Sequence, residues 1–196
     1  MTIRNRLRVW LLLGLAALIF CTANASSVVE VIVSVPDQTL ALVDQGKLIA
    51  RYRISTSKFG IGDNSGSYRT PLGILFVSAK FGDHLPAGTV IKNRAPTGEI
   101  VNANVPGRDA IVSRIIWLRG MESQNHFAHD RCIYIHGTPE ERRIGKPVSF
   151  GCVRMRSRDV IVLYDRVHIG MHVTITQKPI SDFLAPENAW AVNDSG

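Results

Sequence analysis

The sequence predicts a mainly β domain with short helices, a sandwich or mixed sheet rather than a helical bundle. Three short apolar segments follow one another near the start, at residues 28–35, 39–43 and 47–55. Asp44-Gln45-Gly46 separates the second from the third and is typical of a β-hairpin turn. Strict apolar/polar alternation returns at residues 132–136 and 171–176, which indicates two further half-buried strands.

The middle of the chain alternates between strands and loops. Residues 56–71 contain three glycines and several serines and indicate a long loop. A second loop, residues 120–131, carries two histidines. The predicted strands of this region are residues 74–79, 89–91, 99–102 and 110–118.

Two helical segments are predicted in the last third of the chain. Thr138, Pro139 and Glu141 form a capping box, which predicts a short helical turn that ends near Gly145. Ser157 is positioned to cap a second helix that ends at Gly170. The apolar face of this helix comprises Val160, Leu163, Tyr164 and Val167.

The amino terminus is typical of a secretory signal. Three arginines precede a short apolar run at residues 9–20, and Ala23-Asn24-Ala25 fits the small-residue cleavage pattern. We expect residues 1–25 to be a signal peptide, residues 26–178 a catalytic domain and residues 179–196 a polar tail. Phe183, Leu184 and Trp190 of this tail could dock on the surface of the domain. The predicted location is therefore the periplasm or cell envelope. The alternatives are an uncleaved anchor and a lipidated Cys21.

The charge balance argues against a nucleic-acid-binding protein. The chain has 23 lysines and arginines and 16 acidic residues, a net charge of +7. Loss of the first 25 residues removes three arginines and no acid and leaves +4. No basic helix or base-stacking aromatic set accompanies these charges, so a solvated basic surface near anionic wall polymers is the expectation.

The candidate catalytic residues are Cys152 and His136. Gly151 comes directly before Cys152 and would let a substrate approach the sulfur closely. A cysteine becomes a good nucleophile as a thiolate, and a nearby imidazole is the usual means of lowering the thiol pKa. A free cysteine that merely fills apolar space is the alternative.

Cys132 is predicted to be a buried, inert thiol. If Cys132 and His136 lie in the same strand, a rise of about 3.3 Å per residue places them roughly 13 Å apart. A Cys152 that touches His136 would then be too far from Cys132 for a disulfide. A zinc site formed by His126, His129, Cys132 and His136 is a rival hypothesis. Otherwise the two loop histidines are exposed, or they contact substrate.

Two motifs together resemble the signature of the L,D-transpeptidase catalytic domain, also called the YkuD domain. The first is His136-Gly137 followed by Thr-Pro, and the second runs from Ser149 through Gly151 and Cys152 to Arg154 and Met155. The Thr-Pro-Leu-Gly sequence at residues 70–73 is a further similarity, and we expect it to help line the substrate cleft. Many family members have a second histidine where this chain has Phe150.

The resemblance implies an enzyme that remodels peptidoglycan without a metal or organic cofactor. His136 would take the proton of Cys152, giving a thiol of depressed pKa, and the carbonyl of Gly137 would orient the imidazole. Cys152 would attack the third residue of a stem peptide and expel the terminal D-alanine. A neighbouring stem, a wall-anchored protein or water would then resolve the thioester.

Supporting roles fall on the residues around Cys152. The backbone N–H groups of Gly151 and Cys152 are candidates for the oxyanion site. Arg154 would either hold an anionic part of the stem peptide or tie the loop to carbonyls, and Ser149 is expected to support the turn. The competing functions are an L,D-carboxypeptidase that trims stem peptides and an inert wall-binding module.

Overall fold

A computed structural model describes residues 29–186, so the predicted signal peptide and Trp190 lie outside the described residues. Ten strands form one sheet. They are β1 (Val29–Ser34), β2 (Thr39–Asp44), β3 (Lys47–Ser55), β4 (Gly73–Phe81), β5 (Thr89–Lys92), β6 (Ala95–Ile100), β7 (Val112–Gly120), β8 (Tyr134–Gly137), β9 (Val153–Met155) and β10 (His172–Thr176).

Eight of these strands close into a barrel. The sheet runs β4-β10-β1-β2-β3-β9-β8-β7, and β4 pairs with β7 to complete the ring. The β1–β10 and β8–β9 pairs are parallel and the others are antiparallel. The mixed-sheet prediction is confirmed. Closure removes free strand edges from the ring. The β5–β6 hairpin lies outside the ring and is attached to it by the pairing of β5 with β7.

The β5–β6 hairpin differs from the two separate short strands that the sequence predicts. β6 spans Ala95–Ile100 instead of residues 99–102 and pairs directly with β5. Pro96 and Gly98 disfavour a strand interior, but an edge strand tolerates both. All residues of β6 are exposed, as expected for an edge strand that lies outside the barrel.

Between residues 29 and 186, one α-helix, α1 (Ser157–Arg166), packs against β7 and β8. Its buried residues are Val160, Leu163 and Tyr164, as the apolar pattern predicts, and they join the main core. Its amino-terminal cap differs from the prediction. The Glu141 carboxylate accepts the N–H of Ser157 at 2.9 Å, and the helix ends before Gly170. Within residues 29–186, no helix is both long and apolar enough to cross a membrane.

The other helical elements are single 3₁₀ turns. They cover Ser123–Asn125, Glu141–Arg143 and Ile180–Phe183. The short turn predicted after Thr138 is therefore present, although it begins at Glu141 and its N-cap is Glu140 rather than Thr138. The last turn brings Phe183 and Leu184 against Ile32, Ala41 and Val43, which confirms the predicted docking of these two residues.

A buried ion pair fastens the long loop 56–72 to the loop before β8. The Asp63 carboxylate lies 2.6 Å from Arg131 Nη1, and its other oxygen accepts the N–H of Phe127 at 2.6 Å. The side chains of Asp63 and Arg131 are only 5% and 8% exposed. Arg131 also donates to the carbonyl of Arg69, so one guanidinium holds two loops together.

Replacing Asp63 with alanine is expected to destabilise the fold by about 3 kcal/mol or more. The change leaves the Arg131 guanidinium buried without its counter-charge, which typically costs more than the intact pair contributes. The free energy of unfolding in urea is the measurement.

Asp130→Ala is the matched control. Asp130 is the residue before Arg131 and its side chain is 83% exposed, so the same loss of charge there is expected to change stability by no more than about 0.5 kcal/mol. Equal stability of the two variants would contradict a structural role for the buried pair.

Candidate active site

The parallel pairing of β8 and β9 brings the two predicted motifs together. The register sets Ile135 beside Val153 and His136 beside Arg154. Because side chains alternate along a strand, Ile135 and Val153 face the core and the residues on either side of them face the opposite way. His136 and the residue preceding β9, Cys152, therefore lie on the same face of adjacent chains.

His136 is held as one tautomer by its neighbour. Its Nδ1 lies 2.8 Å from the carbonyl oxygen of Gly137. A carbonyl only accepts hydrogen bonds, so Nδ1 carries the proton and Nε2 keeps a free lone pair. Burial lowers the pKa of His136 to about 4, and the charge of Arg154 acts in the same direction. The imidazole is therefore neutral at neutral pH.

The surroundings of Cys152 favour the protonated form of its thiol. Its Sγ lies 3.4 Å from both the backbone nitrogen of Tyr134 and the carbonyl oxygen of Cys132. Burial of the sulfur raises the thiol pKa to about 11, although the Tyr134 N–H and Arg154 oppose the rise. The sequence led us to expect a depressed pKa. The hydrogen-bond acceptor of the thiol here is the Cys132 carbonyl rather than the imidazole.

Cys132 lies closer to Cys152 than predicted. The strand begins at Tyr134, and Cys132 stands before it with a left-handed backbone (φ 56°). Residues 132–136 therefore do not form one extended strand, because the backbone turns at Cys132. Both cysteines are free and half-buried, so Cys132 is not the fully buried thiol that we expected.

The loop that carries Cys152 is held by hydroxyl groups. Ser149 Oγ donates to the carbonyl of Cys152 at 2.6 Å and accepts the N–H of Gly151 at 3.2 Å. Thr70 Oγ1 donates to the carbonyl of Gly151 at 2.9 Å and accepts the N–H of Ser57. The Thr-Pro-Leu-Gly segment thus contacts the candidate nucleophile loop directly.

Glycine is required at Gly137 and Gly151 for different reasons. A Cβ at Gly137 would lie 2.5 Å from the carbonyl oxygen of Val112, so only glycine allows β7 and β8 to approach this closely. Gly151 has φ 121°, which residues with a side chain rarely adopt. Its conformation turns the chain immediately before Cys152.

Arg154 is buried between two carboxylates. Its guanidinium lies 2.8 Å from Asp109 Oδ2 and 3.0 Å from Glu140 Oε2, and its side chain is 7% exposed. These two acids compensate its charge. The sequence analysis missed Asp109 and Glu140, since they lie on separate loops and no local pattern connects them to Arg154.

The loop histidines do not assemble with Cys132 and His136. His129 stacks on the ring of Trp117, with centroids 4.0 Å apart, and His126 is exposed. No group of three or more histidine, cysteine or acidic side chains within residues 29–186 is arranged to hold a metal. The rival zinc hypothesis therefore has no support in the described part of the chain.

Phe150 belongs to an exposed aromatic cluster beside the candidate site. Its ring lies 5.7 Å from that of Phe59 and 5.9 Å from that of Tyr68. Lys58 Nζ stands 4.3 Å above the Phe150 ring. This position therefore supplies an apolar surface and no second imidazole, which leaves His136 as the candidate base.

Known proteins share both the sequence pattern and the fold. A family model described as the L,D-transpeptidase catalytic domain, YkuD, matches residues 29–175. A putative L,D-transpeptidase, YkuD of Bacillus subtilis, is 37% identical over 87 residues, covering 44% of this chain and 48% of the relative. The probable L,D-transpeptidase ErfK/SrfK of Salmonella typhimurium is 37% identical over 59 residues, 30% of this chain and 19% of the relative.

A solved L,D-transpeptidase from Xylanimonas cellulosilytica has the same fold. It superposes with a TM-score of 0.51 at 19% identity, over 78% of this chain and 62% of that one. The chain spans at most about half the length of these two curated relatives. The family model covers most of the chain and includes both strands of the candidate site. The chain therefore belongs to the L,D-transpeptidase catalytic domain (YkuD) family.

Proposed function

We propose that this protein is an exported cysteine acyltransferase that acts on peptidoglycan stem peptides by L,D-transpeptidation. The observation that carries the proposal is the pairing of β8 with β9, which sets a histidine of fixed tautomer and a cysteine on one face of two adjacent chains. Membership of the L,D-transpeptidase family supports the reaction class.

In the first half-reaction Cys152 attacks the carbonyl of the third stem residue. The thiol proton passes to Nε2 of His136 as the C–S bond forms. The imidazolium then gives that proton to the nitrogen of the departing D-alanine, the C–N bond breaks, and a thioester remains on Cys152. The Gly137 carbonyl keeps the imidazole in the required tautomer throughout.

The resting pair is neutral, so deprotonation accompanies attack instead of preceding it. With a thiol pKa of about 11 and an imidazole pKa of about 4, a preformed thiolate–imidazolium pair is unfavourable at neutral pH. The thiol must also turn from the Cys132 carbonyl towards Nε2. A bound substrate that displaces the contact between the thiol and the Cys132 carbonyl would allow the thiol to rotate towards Nε2.

In the second half-reaction an amine attacks the thioester. His136 accepts a proton from that amine, the C–S bond breaks, and the Cys152 thiol is restored by the same proton. The acceptor is a neighbouring stem or an anchored protein. With water as the acceptor the same site would act as an L,D-carboxypeptidase.

The remaining residues of the site have supporting roles in this proposal. The Gly151 N–H is engaged by Ser149 Oγ, so we assign the main oxyanion contact to the N–H of Cys152. Ser149 positions the loop. Arg154, compensated by Asp109 and Glu140, is a positioning residue that keeps the neighbouring imidazole neutral.

Export is part of the proposal because the stem peptides of peptidoglycan are cross-linked outside the cytoplasm. The basic and apolar pattern of residues 1–25 supports it. The positive charge that remains on the mature chain would favour weak association with anionic wall polymers.

Treating the purified chain with a carbapenem is expected to add one drug mass to Cys152. The strained lactam carbonyl acylates a reactive thiol, as a stem peptide would. Cys152→Ala is expected to abolish the adduct, and His136→Gln to slow its formation about 100-fold or more because the general base is lost. Intact-protein and peptide mass spectrometry measure both effects.

Cys132→Ala is the matched control, since it removes the neighbouring thiol and leaves the proposed nucleophile. It should retain the adduct. A folded wild-type chain that forms no adduct with a carbapenem or a tetrapeptide stem would overturn the enzyme proposal in favour of an inert wall-binding module. With a tetrapeptide and an amine acceptor, accumulation of the cross-linked product indicates transfer, and accumulation of the tripeptide indicates trimming.

The buried neutral His136 is expected to make the fold less stable below pH 6.5. Its pKa is lowered to about 4 in the folded chain, so between pH 6.5 and 4 the unfolded chain binds a proton that the folded chain does not. The stabilisation is complete above pH 6.5 and falls by about 3 kcal/mol as the pH decreases to 4. Urea unfolding at a series of pH values measures this.

His136→Gln is expected to remove that component of the pH dependence. His84→Gln serves as control, because the His84 side chain is 94% exposed and its loss should leave the pH profile unchanged. If His136→Gln and wild type showed the same slope between pH 6.5 and 4, the neutral buried state of His136 would be wrong.

A further inference from the structure

The tip of the β5–β6 hairpin carries an arginine where the backbone favours glycine. Asn93 and Arg94 form the two-residue turn, with φ values of 54° and 65°. Such turns prefer glycine at the second position, because a side chain is strained in the left-handed region. Strained residues of this kind concentrate at functional sites, so Arg94 is a candidate for a role that its side chain performs.

The guanidinium of Arg94 rests on an aromatic platform and has no counter-charge. Its Nη1 lies 3.5 Å from the hydroxyl of Tyr134, and its Cζ is 4.8 Å from the centre of the Trp117 ring. Arg94 is exposed. No carboxylate within residues 29–186 forms an ion pair with it.

Two other arginines near the candidate site already form ion pairs. Arg154 is held by Asp109 and Glu140, and Arg131 is held by Asp63. A guanidinium has five N–H donors, and Arg94 uses one of them on the Tyr134 hydroxyl. Its contacts with the Trp117 ring and the Tyr134 hydroxyl hold the guanidinium in place and leave donors free for a planar anion.

Tyr134 connects this guanidinium to the candidate nucleophile. The backbone N–H of Tyr134 lies 3.4 Å from Cys152 Sγ, and its hydroxyl contacts Arg94. Ile91, on the strand that leads to the turn, packs in the same apolar cluster as Tyr134 and Cys152. The Tyr134 side chain therefore lies between the Arg94 guanidinium and the Cys152 sulfur.

We propose that Arg94 binds a carboxylate of the acyl donor and so selects and orients it over Cys152. The inference rests on the proposed function and names the charge that the site recognises. A tetrapeptide stem whose third residue is a diamino dicarboxylic acid has two suitable carboxylates. One terminates the D-alanine that is expelled, and the other belongs to the far end of the diamino acid side chain.

Direct binding to the Cys152→Ala chain tests the inference without requiring catalysis. Calorimetry would measure the dissociation constants of three tetrapeptides, namely the free acid, the peptide amidated at D-alanine and the peptide amidated at the diamino acid. Arg94→Gly in the same background is expected to weaken binding of the free acid about 10- to 100-fold, the range of a charge-assisted hydrogen bond.

The two amides identify which carboxylate Arg94 contacts. Amidation of that group is expected to weaken binding with Arg94 present and to have no further effect in Arg94→Gly, because the two changes remove one interaction. Arg94→Lys should recover part of the affinity, since it keeps the charge and loses the fork. Lys92→Ala is the matched control: it removes an exposed charge from the same hairpin, and binding should be unchanged.

Misfolding does not provide an alternative explanation for Arg94→Gly. Glycine suits the left-handed turn, so the melting temperature of this variant should equal or exceed that of wild type. Unchanged affinity in Arg94→Gly, or an equal loss in Lys92→Ala, would overturn the inference even if wild type forms the acyl-enzyme. If wild type neither forms an acyl-enzyme nor binds any of the three peptides, the proposed function fails together with it.

Discussion

The candidate site depends on one short parallel pairing, that of β8 with β9. Parallel neighbours need a crossover, and here residues 138–152 provide it as a loop with a single 3₁₀ turn. The same crossover carries Glu140 to Arg154 and Glu141 to the start of α1. Residues 138–152 therefore couple three features of the fold. They connect the paired strands, cap helix α1 and compensate the charge of buried Arg154.

Burial of His136, with Arg154 beside it, lowers the pKa of the imidazole. A buried guanidinium is costly without compensation, and Asp109 and Glu140 provide it from two separate loops. The imidazole adjacent to this charge is then less able to accept a proton, in addition to the effect of its own burial. The base is weak at rest but remains in the correct tautomer, since the Gly137 carbonyl holds Nδ1–H.

The sequence allowed the faces of β8 and the residues of both motifs to be predicted, because alternation and motif spacing are local properties. It failed where the backbone leaves a regular element. The left-handed Cys132 ends the alternation two residues before the strand, and no residue type in the sequence marks that change of direction. Closure of the barrel through β4 and β7 and the partners of Arg154 are long-range features. The β5–β6 hairpin around Arg94 was not predicted, because Pro96 and Gly98 disfavour a strand interior. An edge strand accepts both residues.

A raised thiol pKa is consistent with the proposed role of Cys152 as the nucleophile of an exported enzyme. A free thiolate there would be exposed to oxidation and to exchange with other thiols, since reactivity follows thiolate character. The Cys152 sulfur is crowded by protein atoms and donates to the Cys132 carbonyl, so it stays protonated until another group replaces that contact. A substrate carbonyl placed beside the imidazole supplies both the electrophile and the reason for the thiol to turn. In the proposed mechanism, burial suppresses reactions with oxidants and with other electrophiles and leaves the intended reaction available, because proton transfer and attack occur together.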